Sequence, residues 1–183
     1  MKTDIIWIRG PRKGRLAIAA RPRGGDWLDD EVEAWRAAGV DCVVSALTPA
    51  EETELDLAEE PLICQRHGLR YISLPIPDRG VPSSRPTFIE TLDCIRADLD
   101  AGGSVLIHCR QGIGRSSLIA ASVLAETGET PDAAFASVQQ ARGHAVPDTD
   151  EQRNWVRLFA ARPRSAQPPR RAQRRAAAPT AHA

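Results

Sequence analysis

The stretch Ser104-Val-Leu-Ile-His108-Cys109-Arg110-Gln111-Gly112-Ile113-Gly114-Arg115-Ser116-Ser117 limits what this chain can fold into more than any other part of it. Residues 104–108 read as a strand, and 115/116–126 read as a helix closed by Gly128, with only a glycine-bearing loop between them. A strand that passes through such a loop into a helix belongs to a layered α/β structure. Gly112 and Gly114 allow φ > 0 turns that aim successive backbone N–H groups at one point. Those donors and the adjoining helix N-terminus make a site for a dianionic phosphate. Arg115, at the helix start, carries a planar fork able to grip two phosphate oxygens.

The rest of the chain agrees with that layering. Residues 5–8 and 16–20 read as short strands divided by a turn at 10–14, followed by a helix from 27/28 to 38. Residues 40–47 are β-branched and nearly uninterrupted, as in a buried parallel strand. A helical stretch starts at Thr48, where Thr48 and Glu51 have capping-box spacing, and Pro61 divides it. Residues 70–76 are a strand and 77–86 a loop. Residues 87–101 form a helix with Phe88, Leu92, Ile95 and Leu99 on one face. Further helices are expected at 131–142 and 150–161. The fold class is thus α/β, a central, mainly parallel twisted sheet with helices on both faces, in a single domain over residues 1–161.

Composition excludes several alternatives. With 183 residues, 42% hydrophobic and 26% charged, the chain is neither fibrous nor wholly disordered. Its longest apolar stretch, 118–125, is far shorter than the roughly 20 residues that span a bilayer, so no membrane partner is expected. The opening MKTDIIWIRG does not read as a secretory signal. Four cysteines in such a chain are expected as free thiols in a reducing cytoplasm, with Cys42, Cys64 and Cys94 as core residues. The 24 basic and 24 acidic residues balance, but Arg162, Arg164, Arg170, Arg171, Arg174 and Arg175 lie in a segment without acids. Residues 162–183, rich in Arg, Pro and Ala, read as a disordered tail, a solvated terminal extension whose alternative is electrostatic binding of nucleic acid or an acidic partner.

Cys109 sits at the base of the anion cradle, where helix N-terminal amides and an arginine favour the thiolate, the nucleophilic form. No Gly-Lys-Ser/Thr follows the glycines, so this is not a nucleotide P-loop. The four histidines (67, 108, 144, 182) form no ligand cluster with a second cysteine, so neither a metal nor another cofactor is expected. By average residue usage, His-Cys-x-x-Gly-x-x-Arg-Ser/Thr arises by chance in only about 1 in 10⁴–10⁵ chains of this length.

HCRQGIGRSS resembles the HC-x5-R-S/T signature of the cysteine-dependent protein tyrosine phosphatases. With PIPDRGVP and ARGHAVPDTDEQRNW, the likeness is to the compact dual-specificity branch related to cyclin-dependent kinase inhibitor 3. The resemblance implies a phosphatase working through a cysteinyl-phosphate without a metal, on phosphorylated protein. It implies Cys109 as nucleophile and Arg115 as oxyanion clamp. Residues Arg110, Gln111, Gly112, Ile113 and Gly114 would supply N–H donors, and Ser116 the hydroxyl that assists the leaving thiolate. His108 would be a supporting histidine and Gln152 the counterpart of a water-orienting glutamine.

Asp78 is the expected general acid, from geometry as well as resemblance. It follows the strand 70–76 as Cys109 follows the strand 104–108, and one helix joins the two. In a right-handed β-α-β unit both C-terminal ends open at one edge of the sheet. The alternative is a tight turn at Pro77-Asp78-Arg79-Gly80 with its aspartate bonding local backbone. Gly80, Pro82 and the nearby serines suit a loop that closes over substrate. Asp148 and Asp150 are expected to cap the last helix. By the same resemblance, Gln111 and Ile113 stand inside the loop where phosphoinositide-directed relatives tend to carry lysines, which argues against an inositol phosphate, and an RNA 5′-triphosphate is a further family option that the arginine tail leaves open. A non-catalytic phosphoprotein-binding module is the alternative of a different class.

Overall fold

The computed structural model describes residues 4–10 and 12–162. The expected turn at 10–14 therefore has one position outside the described residues, and the expected tail lies outside them from residue 163. Five strands form one sheet: β1 (Ile6–Ile8), β2 (Arg15–Ala20), β3 (Cys42–Ser45), β4 (Arg70–Ser73) and β5 (Ser104–Cys109). Their order is β1-β2-β5-β3-β4, and only the edge strand β1 runs antiparallel to its neighbour. The α-helices among the described residues are α1 (Leu28–Ala37), which a 3₁₀ turn at Gly25–Trp27 leads into, α2 (Pro49–Glu54), α3 (Glu60–Arg66), α4 (Arg85–Asp100), α5 (Arg115–Ala125), α6 (Pro131–Arg142) and α7 (Asp150–Ala160).

Side-chain alternation sorts the two layers. Val105, Ile107 and Cys109 of β5 join the core under α4 to α7, while Leu106 faces α1 and α3 with Val32, Trp35 and Ile63. Every residue of α5 is buried, so its apolar residues contribute packing all round, at roughly 1.5–3 kcal/mol for each large side chain.

Local chemistry sets the helix starts. Thr48, Ser84, Thr130 and Thr149 each accept a backbone N–H from the first turn that follows. The helix expected from residue 87 begins two residues earlier, because Ser84 caps it and Pro86 fits its first turn. Pro61 likewise stands in the first turn of α3. The division it marks falls before it, where Asp56 takes φ 54°. The strands expected at 40–47 and 70–76 are shorter, but pairing continues past them: Leu74 N–H bonds the Ser45 carbonyl and Ile76 N–H that of Ala46.

Two expectations are corrected. Cys94 is exposed on α4 and not part of the core, whereas Cys42 and Cys64 are buried; all four cysteines are free thiols. The last helix is capped by Thr149, whose hydroxyl accepts from Gln152 N–H, and not by Asp148 or Asp150.

Candidate active site

The C-terminal ends of β3, β4 and β5 meet at one edge of the sheet. β5 ends at Cys109, paired in register with Ala20 of β2, and the loop 110–114 then turns into α5. Gly112 sits at φ 68°, and a Cβ there would lie 2.7 Å from the Ala19 carbonyl carbon. The loop lies so close to β2 that only glycine fits. Among the described residues, the backbone N–H groups of Arg110 to Gly114 have no protein acceptor. Five donors beside a helix N-terminus are thus free for an anion.

Cys109 is buried at the base of this loop, and its Sγ lies 3.4 Å from Ser116 Oγ. Arg115 is 2% exposed. Its Nη1 donates to Glu51 Oε2 (2.7 Å), the Ile76 carbonyl (3.0 Å) and the Ala46 carbonyl (3.3 Å). Its Nη2 donates to Glu51 Oε1 (2.9 Å) and Asp78 Oδ1 (3.1 Å). The expected meeting of Asp78 with the loop therefore occurs, through Arg115, although 37 positions separate the two residues.

Glu51 is the partner that sequence reasoning did not assign. Its capping-box spacing was visible, and the box forms, with Thr48 N–H donating to Glu51 Oε2 at 3.0 Å. The same carboxylate also forks onto Arg115. Burial alone would raise its pKa, but the hydrogen bonds from Arg115 and from the Thr48 backbone outweigh this and lower it to about 2. Burial likewise opposes the charge on Arg115, yet the bond to Glu51 leaves its pKa raised. Nothing in the spacing of Thr48 and Glu51 discloses a fork 64 residues away.

The loop containing Asp78 is held by α7. Gln152 Nε2 donates to the Gly80 carbonyl at 3.0 Å, and Thr149 Oγ1 to the Arg79 carbonyl at 3.5 Å. Gln152 is fully buried, and its Oε1 has no hydrogen-bond partner among the described residues. That oxygen and Asp148 Oδ2 stand against Gly114, where a Cβ would meet them at 3.0 and 2.1 Å. Arg110 turns outward and forks onto Glu54 at 2.5 and 3.3 Å. Gln111 is exposed and Ile113 half-buried. His108 points to the opposite face of the sheet, fully buried, with Nε2 2.9 Å from Glu60 Oε1 and its ring 5.9 Å from that of Trp35. Among the described residues, no group of three or more His, Cys, Asp or Glu can hold a metal ion. No helix there is long and apolar enough to cross a membrane.

The family model described as "Polymorphic toxin system, DSP-PTPase phosphatase" matches residues 18–129, which run from within β2 through β3, β4 and β5, the loop and α5. The chain belongs to this family. It is similar to cyclin-dependent kinase inhibitor 3 of Rattus norvegicus, at 27% identity over 72% of this chain and 63% of that one. It is also similar to dual specificity protein phosphatase 1 of Mus musculus, at 36% over 43% of this chain and 22% of that one. The chain thus spans less than two thirds of the length of these curated relatives. Among solved structures it resembles a kinase associated phosphatase whose catalytic-site cysteine is replaced by serine. There the TM-score is 0.80 and the identity 23%, covering 87% of this chain and 94% of that one. It also resembles Tk-PTP in the active form, with TM-score 0.70 and 26% identity over 86% and 97%. The matched family and these relatives place the chain in the dual-specificity phosphatase branch.

Proposed function

We propose that the protein hydrolyses phosphomonoesters on phosphoproteins, as a tyrosine or dual-specificity phosphatase, through a phosphocysteine at Cys109. One observation carries this reading: a buried sulfur lies at the base of a loop whose five N–H groups have no protein acceptor, with Arg115 and Asp78 joined at its rim.

The loop amides and Arg115 hold the phosphoryl oxygens, and the Cys109 thiolate attacks phosphorus in line. As the S–P bond forms, the P–O bond to the substrate breaks, and Asp78 gives its proton to the departing oxygen. Water then attacks the phosphocysteine while Asp78 takes one of its protons. The S–P bond breaks, inorganic phosphate leaves, and the Ser116 hydroxyl donates to the thiolate that returns. The unpartnered Oε1 of Gln152 is suited to accept a hydrogen bond from that water. His108 supports the strand end from behind. Charge is held by amides and a guanidinium, so the cycle is written without a metal ion.

The catalytic domain in this reading is residues 1–161, and its setting is the cytoplasm, which four free thiols favour. A pure phosphoprotein-binding module is disfavoured, because the nucleophile, clamp and acid are all present. The test is phosphate release from phosphotyrosine, phosphoserine/threonine, phosphoinositide and RNA 5′-triphosphate substrates, with chelator added and Cys109→Ser as control. Chelator-resistant, Cys109-dependent release that is fastest on phosphopeptides is expected. Release that survives Cys109→Ser, or that chelator stops, overturns the reading.

A further inference from the structure

The loop that offers its N–H groups to an anion must turn its carbonyls the other way, and those oxygens need donors of their own. In this chain two of those oxygens, on Gln111 and Gly112, take theirs from one side chain. Arg142 Nε donates to the Gly112 carbonyl at 3.1 Å, and Arg142 Nη2 to the Gln111 carbonyl at 3.4 Å. Among the described residues no other group donates to either oxygen. Arg142 is the last residue of α6, and Gly143 ends that helix in a left-handed cap at φ 74°. α6 packs on α5, so the guanidinium projects from a rigid support.

We propose that Arg142 is a positioning residue for the phosphate loop. Its planar fork holds the Gln111 and Gly112 carbonyls outward and so keeps the N–H groups of 110–114 turned toward the anion. The inference rests on the function proposed above and adds to it a residue that touches neither substrate nor nucleophile. The opposite side of the loop is closed by the backbone of Ala19 and Ala20, against which Gly112 is pressed. The turn is thus held between a strand end and a guanidinium. A guanidinium suits this task better than an ammonium, because two carbonyls at fixed spacing match its fork. Its charge behind the loop also adds to the field that draws a dianion.

The test measures binding of inorganic phosphate to the full chain, which needs no turnover. Calorimetric titration is combined with amide hydrogen exchange of residues 110–114 in saturating phosphate. Arg142→Ala is expected to weaken phosphate binding by about 10- to 100-fold, since a small misplacement of the binding groups is enough. The loop amides should exchange faster in this variant, while those of β5 keep the parent rate. Arg142→Lys is expected to restore only part of the affinity. Phosphate affinity and loop exchange in Arg142→Ala equal to the parent's overturn the proposal. Should that variant not fold, Arg142→Lys decides in the same way, and loop amides as protected as the parent's overturn it. A parent that binds phosphate but hydrolyses no phosphoester overturns the proposed function alone. A parent that binds no phosphate overturns both.

Discussion

The loop 109–116 and the groups around it are built on different plans. The loop is one continuous run of eight residues, and its geometry follows from a strand, two glycines and a helix start. The surrounding groups come from four distant segments: Glu51 from α2, Asp78 from the loop after β4, Arg142 from α6, and Thr149 with Gln152 from the start of α7. The contrast separates two tasks. In the proposed function the contiguous run carries the reacting sulfur and the anion donors. The dispersed groups fix where Arg115 points and where the acid stands, and they do so only after the tertiary fold has formed.

Substitutions in each part sharpen that division. Cys109→Ser should reduce phosphate release by about 10⁴-fold or more while circular dichroism stays unchanged, because it removes only the nucleophile. Asp78→Ala should lower turnover about 10²- to 10⁴-fold on a phosphotyrosyl peptide. A good leaving group such as p-nitrophenol needs no proton donor and should show a much smaller loss. An equal loss with both would remove Asp78 from the acid's role.

Glu51→Gln tests the dispersed part through pH. The Glu51 pKa in the fold, about 2, lies below its ordinary 4.5. The carboxylate's contribution to stability is therefore fully present above about pH 4.5 and is lost as pH falls toward 2. The parent should lose stability across that window, and the variant should show a flatter profile there. At neutral pH the variant should unfold more easily by about 3 kcal/mol, the cost of leaving a buried arginine with only the exposed carboxylate of Asp78 as its anion. Urea titrations at several pH values measure both effects, and parallel profiles would show that the pair is not thermodynamically coupled. The smallest expected effect is that of Gln152→Ala. Its loss of one hydrogen bond to Gly80 should lower kcat by about 10-fold or less, with KM little changed.

The same division explains what the sequence disclosed. The sheet, the loop and most helices are written in local periodicity and caps, so Ser104–Cys109 and Arg115–Ala125 fall within one residue of their expected bounds. Asp78 was legible because parallel strands end at a common edge. Glu51 was legible as a cap but not as the partner of Arg115, since a contact across 64 residues leaves no local trace. Arg142 reads simply as a helix-end cation until its contacts with two loop carbonyls are seen. Cys94 departs from the usual interior preference of thiols because it lies off the buried stripe of Phe88, Leu92, Ile95 and Leu99 on α4. At the start of α7 two aspartates flank Thr149, and local propensity does not single out the residue whose hydroxyl meets the Gln152 N–H.

The double engagement of Glu51 narrows what evolution can put at that position. Aspartate is one methylene shorter and would have to give up either the amide at the start of α2 or the arginine across the cleft. Glutamine keeps the length but not the charge. A six-residue segment far from the signature motif is thereby tied to it, and drift in one would have to be matched by drift in the other.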